Sequence, residues 1–160
     1  MAEKVVPGTD IPEVEVAVAV IQLADRILAV YNPQWRCFTL PMTKRRKWVD
    51  PNPEVKSKTR EEDWLVAATR AAAEWLGRTI TPDEIQAQPL LVDPRFRQGD
   101  RDGVWKHYFF KVFKVILEQE PDLVDRAVYE WLTPQEFMQN QPVSPTARHL
   151  VNQLIARQLV

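Results

Sequence analysis

Three stretches of this 160-residue chain concentrate the side chains that could do chemistry. Residues 44–60 hold Lys44, Arg45, Arg46, Lys47, Lys56, Lys58 and Arg60 against only Asp50 and Glu54. Such a run is either a solvated segment or a set of cations able to grip phosphate without a metal, because guanidinium and ammonium groups form charge-assisted hydrogen bonds to phosphate oxygens. A contact with nucleic acid or protein is a further reading. The balance of 21 Lys+Arg against 22 Asp+Glu speaks against nucleic acid. Residues 61–77 carry Glu61, Glu62, Asp63, Arg70 and Glu74. Arg70 and Glu74 stand four apart, the spacing of a helix-surface ion pair worth about 0.3–0.5 kcal/mol, and acids at a helix start complement its dipole. Residues 95–107 contain Arg95, Arg97, Asp100, Arg101, Asp102, Trp105, Lys106 and His107, which suit either a polar hairpin tip or a source of metal-binding carboxylates.

Scarce residue types remove other chemistries. Cys37 is the only cysteine, so the chain has no internal disulfide and no multi-cysteine zinc site. His107 and His149 are its only histidines, Ser57 and Ser144 its only serines, and neither serine lies in a GxSxG elbow, which argues against a Ser-His hydrolase. The four glycines form neither a dinucleotide-binding turn nor a P-loop. A mean hydropathy of -0.34, no uninterrupted apolar run near ~20 residues and no apolar leader after MAEKVV point to a cytoplasmic protein without a membrane span.

The elements that must position these groups follow from apolar periodicity. VEVAVAVI (14–21), RILAVY (26–31) and CFTLP (37–41) read as strands, the first two joined as a hairpin. Periodicity stops over 42–60, where Pro51 and Pro53 add to the reading of a basic insertion loop. Residues 61–77 read as a helix, with Leu65, Ala68, Ala72, Trp75 and Leu76 on one face and Gly77 as its C-terminal cap. Thr81-Pro-Asp-Glu84 has capping-box form and predicts a short helix or turn. Strands are expected at 89–94, before a polar loop, at 104–117 and at 127–132, then a short helix from Thr133 and a last one opened by Ser144-Pro145. The expectation is an N-terminal tail over 1–12 and one domain over 13–160, an α/β (α+β) sandwich with a mixed sheet flanked by helices.

On this layout and on residues 32–77 the chain resembles the Nudix hydrolases. Their signature runs Gly, five residues, Glu, seven residues, then Arg-Glu-(bulky apolar)-x-Glu-Glu-x-Gly-(bulky apolar). Anchored on Arg70, it places Glu62 on the first Glu, Glu74 on the first of the paired Glu, and Gly77 on the closing Gly. WRCFTLP is similar to the family's strand into Leu-Pro-Gly-Gly, VYEWLTPQEF to its penultimate strand and turn, and the stretch from Ser144 to its final helix. The departures are Lys56 for the first glycine, Ala71 for the Glu after the arginine, Ala72 and Arg78 for bulky apolar residues, Trp75 for the second paired Glu, and Met42-Thr43 for Gly-Gly. The resemblance implies an α/β/α fold and, in an active member, Mg²⁺ or Mn²⁺ held by carboxylates at the positions of Ala71, Glu74 and Trp75. These lie at i, i+3 and i+4 and so share one helix patch.

The expected function is therefore binding of a nucleotide or other diphosphate-containing ligand, with pyrophosphohydrolase activity weak or absent. The residues backed for the site are Glu74, Glu62 and Arg70, with Glu74 as a residual metal ligand and Lys44, Arg45, Arg46, Lys47 and Lys56 for phosphate. Mg or Mn is expected only if the chain is active. Trp75 reads as core or as an aromatic wall for a nucleobase. One alternative is a working hydrolase in which Asp100, Asp102, Glu118 or Glu120 join Glu74 and Glu62. The other is a non-enzymatic interaction module. A homodimer is left open.

Overall fold

The computed structural model describes residues 11–49, 59–98, 103–123, 128–139 and 142–160. Its central strand is β1 (Glu13–Leu23), in which Val16, Ala17, Val18, Ala19, Val20 and Ile21 are all buried. Successive strand residues point to opposite faces, so an unbroken buried run means that both faces are covered. Val16, Val18 and Val20 enter one core cluster, while Ala17, Ala19 and Ile21 enter the other. The alanines that blur the alternation in the sequence meet Ala67, Ala68 and Ala72 of α1 (Trp64–Leu76) in that second cluster, where small side chains on both elements let helix and sheet approach closely.

β1 continues through a tight turn, with Ala24 at φ +54°, into β2 (Arg26–Asn32), followed by β3 (Cys37–Thr39). After α1 come β7 (Leu91–Gln98), β8 (Trp105–Leu117) and β9 (Tyr129–Leu132), then α2 (Pro134–Gln139) and α3 (Pro145–Ala156). β8 pairs parallel to β1 from Glu13↔His107 to Leu23↔Leu117, and β7 pairs antiparallel to β8. The sheet order is β3-β2-β1-β8-β7, with β9 on β2. α1 covers one face; Phe137 of α2 and Ala147, Leu150, Val151 and Leu154 of α3 cover the other. This is the expected α/β/α sandwich with a mixed sheet. No helix among the described residues is long and apolar enough to cross a membrane.

Helix ends obey local chemistry. Asp63 caps α1 by accepting the Leu65 N–H at 2.8 Å, and Gly77, at φ +66°, closes it by donating to the Ala73 carbonyl. Ser144 caps α3 by accepting from Ala147, and its hydroxyl also meets Thr39 Oγ1 at 3.1 Å.

Three expectations need correction. The segment 42–60 is not wholly loop: β4 (Met42–Lys44) pairs with β1, and β5 (Lys47–Val49) pairs with β6 (Thr59–Glu61). Three-residue strands are too short to show a period, so only backbone pairing reveals them. α1 begins at Trp64, which leaves Glu61 and Glu62 outside the helix and Asp63 as its cap. β7 runs on to Gln98, taking Arg95 and Arg97 out of the expected polar loop. At Thr81 the expected capping hydrogen bonds form with Glu84, and of the helix or turn expected there the chain makes the turn, then bridges to β8 at Ile85↔Val115.

Candidate functional site

Glu62 and Arg70 meet where α1 joins β4. The Glu62 carboxylate is only 6% exposed and accepts from Arg70 at both oxygens, Nη2–Oε1 2.9 Å and Nε–Oε2 3.2 Å, and from the Arg46 backbone N–H at 3.0 Å. Arg70 also donates to Thr43 Oγ1 at 2.9 Å and to the Lys44 carbonyl at 3.1 Å. Its planar fork thus joins the helix, the residue before the helix cap, and β4. The Arg70 hydrogen bonds hold the Glu62 carboxyl below the usual carboxylate range despite its burial, and the same pair raises the Arg70 guanidinium. Glu62, in the sequence both a site candidate and a helix-start acid, is in the structure the buried partner of Arg70 and lies just before the helix. Three acids in a row were a usable signal, since only one can be the cap.

Glu74 is placed differently. Its side chain is 59% exposed and touches Arg70 Nη1 at 3.6 Å, the expected i, i+4 contact. Ala71, one turn before Trp75, is 1% exposed inside the core, and Trp75 packs against the helix-side cluster, as do Tyr129 and Trp131. Among the described residues no three of His, Cys, Asp or Glu are grouped to hold a metal ion. Glu118 and Glu120 are exposed beyond the end of β8, and Asp100 and Asp102 lie outside the described residues. A divalent cation needs several oxygen ligands. On α1 the described residues offer one carboxylate with a guanidinium beside it, which does not fit such an ion.

The basic segment is partly neutralised by acids the sequence did not suggest. Arg45 pairs with Glu15 at 2.7 Å and Glu61 at 3.2 Å and donates to the Glu62 carbonyl. Lys47 pairs with Glu15 and, at 3.8 Å, with Glu61. Burial opposes ionisation of Glu15, but hydrogen bonds from Lys47 and Arg45 outweigh it and hold its carboxyl below the usual range; Lys47 is raised in turn by Glu15. Lys44 and Arg46 are exposed, the charge of Arg46 also helping to lower Glu62, whereas Lys56 lies outside the described residues. Arg45 also sits 5.1 Å from the centroid of the Trp64 ring, and Lys111 of β8 sits 4.7 Å from the same ring.

Along the outer side of α1, Thr69, Arg70, Ala73 and Glu74 line an open groove of about 720 Å³ with Ile80 and Ile85. Arg78, which also lines it, makes a two-point ion pair with Glu84, 2.8 and 2.5 Å, and this pair together with the Thr81 N–H brings the Glu84 carboxyl down to about 2. On the opposite face of the sheet, His149 of α3 meets Asp93 of β7 at 3.1 Å and Arg97 donates to Thr146 at 2.8 Å. The sequence singled out neither contact, because each joins elements far apart in the chain.

No family model matches this sequence, and no protein of curated function matches it either. Its structure, by contrast, is similar to many solved ones. The E. coli ORF135 protein in solution superposes with a TM-score of 0.63 at 18% identity, covering 92% of each chain. A MutT NUDIX hydrolase from Burkholderia pseudomallei gives 0.59 at 22% identity, over 89% of this chain and 98% of the other. The NUDIX domain of Shewanella oneidensis NrtR, solved with ADP ribose, gives 0.60 at 15% identity, over 96% and 94%. A mixed sheet between one long helix on one face and two helices on the other, matched over nearly whole chains, defines the architecture. The chain has the Nudix fold.

Proposed function

We propose that this chain binds a nucleotide or another diphosphate-containing ligand and hydrolyses it weakly or not at all. The observation that carries the reading is the state of α1: Ala71 buried, Trp75 half-buried against the core, and Glu74 beside the Arg70 guanidinium. Losing a metal that offsets charge developing on a diphosphate removes several kcal/mol of transition-state stabilisation, a thousand-fold or more in rate. Binding has more support than turnover. Lys44 and Arg46 are exposed cations next to α1, while Arg45 and Lys47 hold the segment to β1 through Glu15. The Shewanella domain with the same fold was solved with ADP ribose, which makes that compound the first probe.

The test is thermal unfolding with ADP ribose and a panel of nucleoside di- and triphosphates, with and without Mg²⁺ or Mn²⁺, beside an assay of phosphate release. A ligand at 100 times its Kd stabilises by about 2.7 kcal/mol. Stabilisation that needs no metal, without release, is the expected result. Metal-dependent release abolished by Glu74→Gln would establish a working hydrolase instead, and no response to any ligand would favour an interaction module.

A further inference from the structure

α1 covers only part of its face of the sheet. Phe113 of β8, beneath the helix, is 2% exposed, but two residues earlier on the same face comes Lys111, and its β7 partner Val92 is 50% exposed. One step further along, Phe109 is paired with Pro94, which is exposed. Opposite residues of an antiparallel pair share a face, so Val92, Lys111, Pro94 and Phe109 form an open ledge beside the first turn of α1. The opposite face behaves otherwise: Tyr108, Phe110 and Val112 pack into the cluster beneath α3.

The ledge ends at Trp64, the first residue of α1, where Lys111 and Arg45 both approach one indole. The two cations are not equivalent. Arg45 is committed to Glu15, Glu61 and the Glu62 carbonyl. Lys111 has no carboxylate partner among the described residues; the indole is its neighbour. A cation–π contact of this kind is worth about 0.5–1 kcal/mol at an exposed site, less than a charge-assisted hydrogen bond to phosphate. An anion reaching the ledge would therefore draw the ammonium off the ring.

We propose that Lys111 is the anion contact of a ligand subsite on this ledge, in which one phosphate of a diphosphate-containing ligand takes the ammonium and the apolar strip formed by Val92, Pro94 and Phe109 receives the ligand's ring. This rests on the nucleotide-binding reading above and adds to it a residue that the sequence did not mark. Lys111 lies on the sheet rather than on the basic segment, so the ligand would bridge the two.

The experiment is calorimetric titration of the full chain with ADP ribose and, separately, with inorganic pyrophosphate. Lys111→Met is compared with Lys111→Arg and with Lys114→Met, which removes the same charge from the opposite side of the strand. Lys111→Met should weaken both ligands about tenfold, as expected for one lost charge-assisted contact, while Lys111→Arg stays within about threefold of the wild type. Lys114→Met should change neither ligand. In the wild-type protein, the Lys111 side-chain protons, shielded by the Trp64 ring, should move downfield when ADP ribose binds. Equal losses in Lys111→Met and Lys114→Met would reduce the effect to overall charge and overturn the subsite. So would unchanged pyrophosphate binding in Lys111→Met, or Lys111 resonances that do not move. Those failures leave the binding reading standing, whereas a wild-type chain that binds neither compound defeats both.

Discussion

The Glu62–Arg70 clamp and the Ala71–Glu74–Trp75 patch lie within one helix and its first approach, yet they have opposite characters. The clamp is buried, bidentate and tied into β4 by two further hydrogen bonds. The patch has one exposed carboxylate whose near partner is the same arginine. Both correspond to parts of the signature that the chain resembles. The clamp holds α1 against the sheet, and the patch stands where the resemblance would place metal-binding carboxylates. Ala71 and Trp75 add apolar contact on this part of α1, where carboxylates would need a counter-charge. The clamp cannot lose one member of its buried ion pair without leaving the other uncompensated.

The largest effect that would sharpen this contrast is at the clamp. Glu62→Gln leaves the Arg70 guanidinium without its buried counter-charge and should cost about 3 kcal/mol in urea unfolding. A loss no greater than that of Glu74→Gln would mean that the buried clamp bears no more than the exposed pair. Next comes rebuilding the patch. Ala71→Glu combined with Trp75→Glu restores carboxylates at i, i+3 and i+4. It should destabilise the metal-free protein by about 2–3 kcal/mol, because one carboxylate replaces a buried methyl group. It should also create a rise in Tm with Mn²⁺ that the wild type lacks. If Mn²⁺ stabilises the wild type as much as the double variant, the patch was competent all along.

Acid provides an intermediate effect. The carboxyls of Glu62, Glu15 and Glu84 sit below their ordinary value of 4.5, that of Glu84 at about 2. Between those values the unfolded chain binds more protons than the folded one, so stability rises with pH there. The contribution is complete above about pH 4.5 and is lost as pH falls through the folded values; for Glu84 that is the window from 4.5 down to about 2. Unfolding midpoints should stay nearly level from pH 6 to about pH 4.5 and fall from there to pH 2.5, and Glu84→Gln should flatten the lowest part of that limb. Glu74→Gln is the smallest: an exposed i, i+4 contact screened by solvent should change stability by no more than about 0.5 kcal/mol. A clearly larger loss in thermal unfolding would mean that Glu74 does more than border the groove.

Much of the frame was legible because it is written in local chemistry. Gly77 ends α1 because a left-handed residue is needed there, and Ser144-Pro145 opens α3 because a hydroxyl and a fixed φ suit a helix start. The period placed Ala68, Ala72 and Leu76 on the buried face of α1 but missed Ala67 and Ala71, while Leu65 and Trp75 are only half-buried. The small strands β4, β5 and β6 were hidden, since three residues carry no period and their stability comes from partners elsewhere. Glu62 was visible as an acid at signature spacing, but its partner Arg70 lies eight residues away and meets it only because the chain enters the helix at Asp63.

By itself, the order of residues determined the longer strands and helices, the Gly77 and Ser144 caps and the presence of Ala71 and Trp75 beside Glu74 on α1, because each depends on neighbours within a few positions. Tertiary structure alone decided which charges are spent and which are available. Glu15 neutralises Arg45 and Lys47 from thirty or more positions away, and Lys111 reaches Trp64 across the sheet. Electrostatic partnership acts through distance in space, and only the folded sheet brings those distances below a few ångströms.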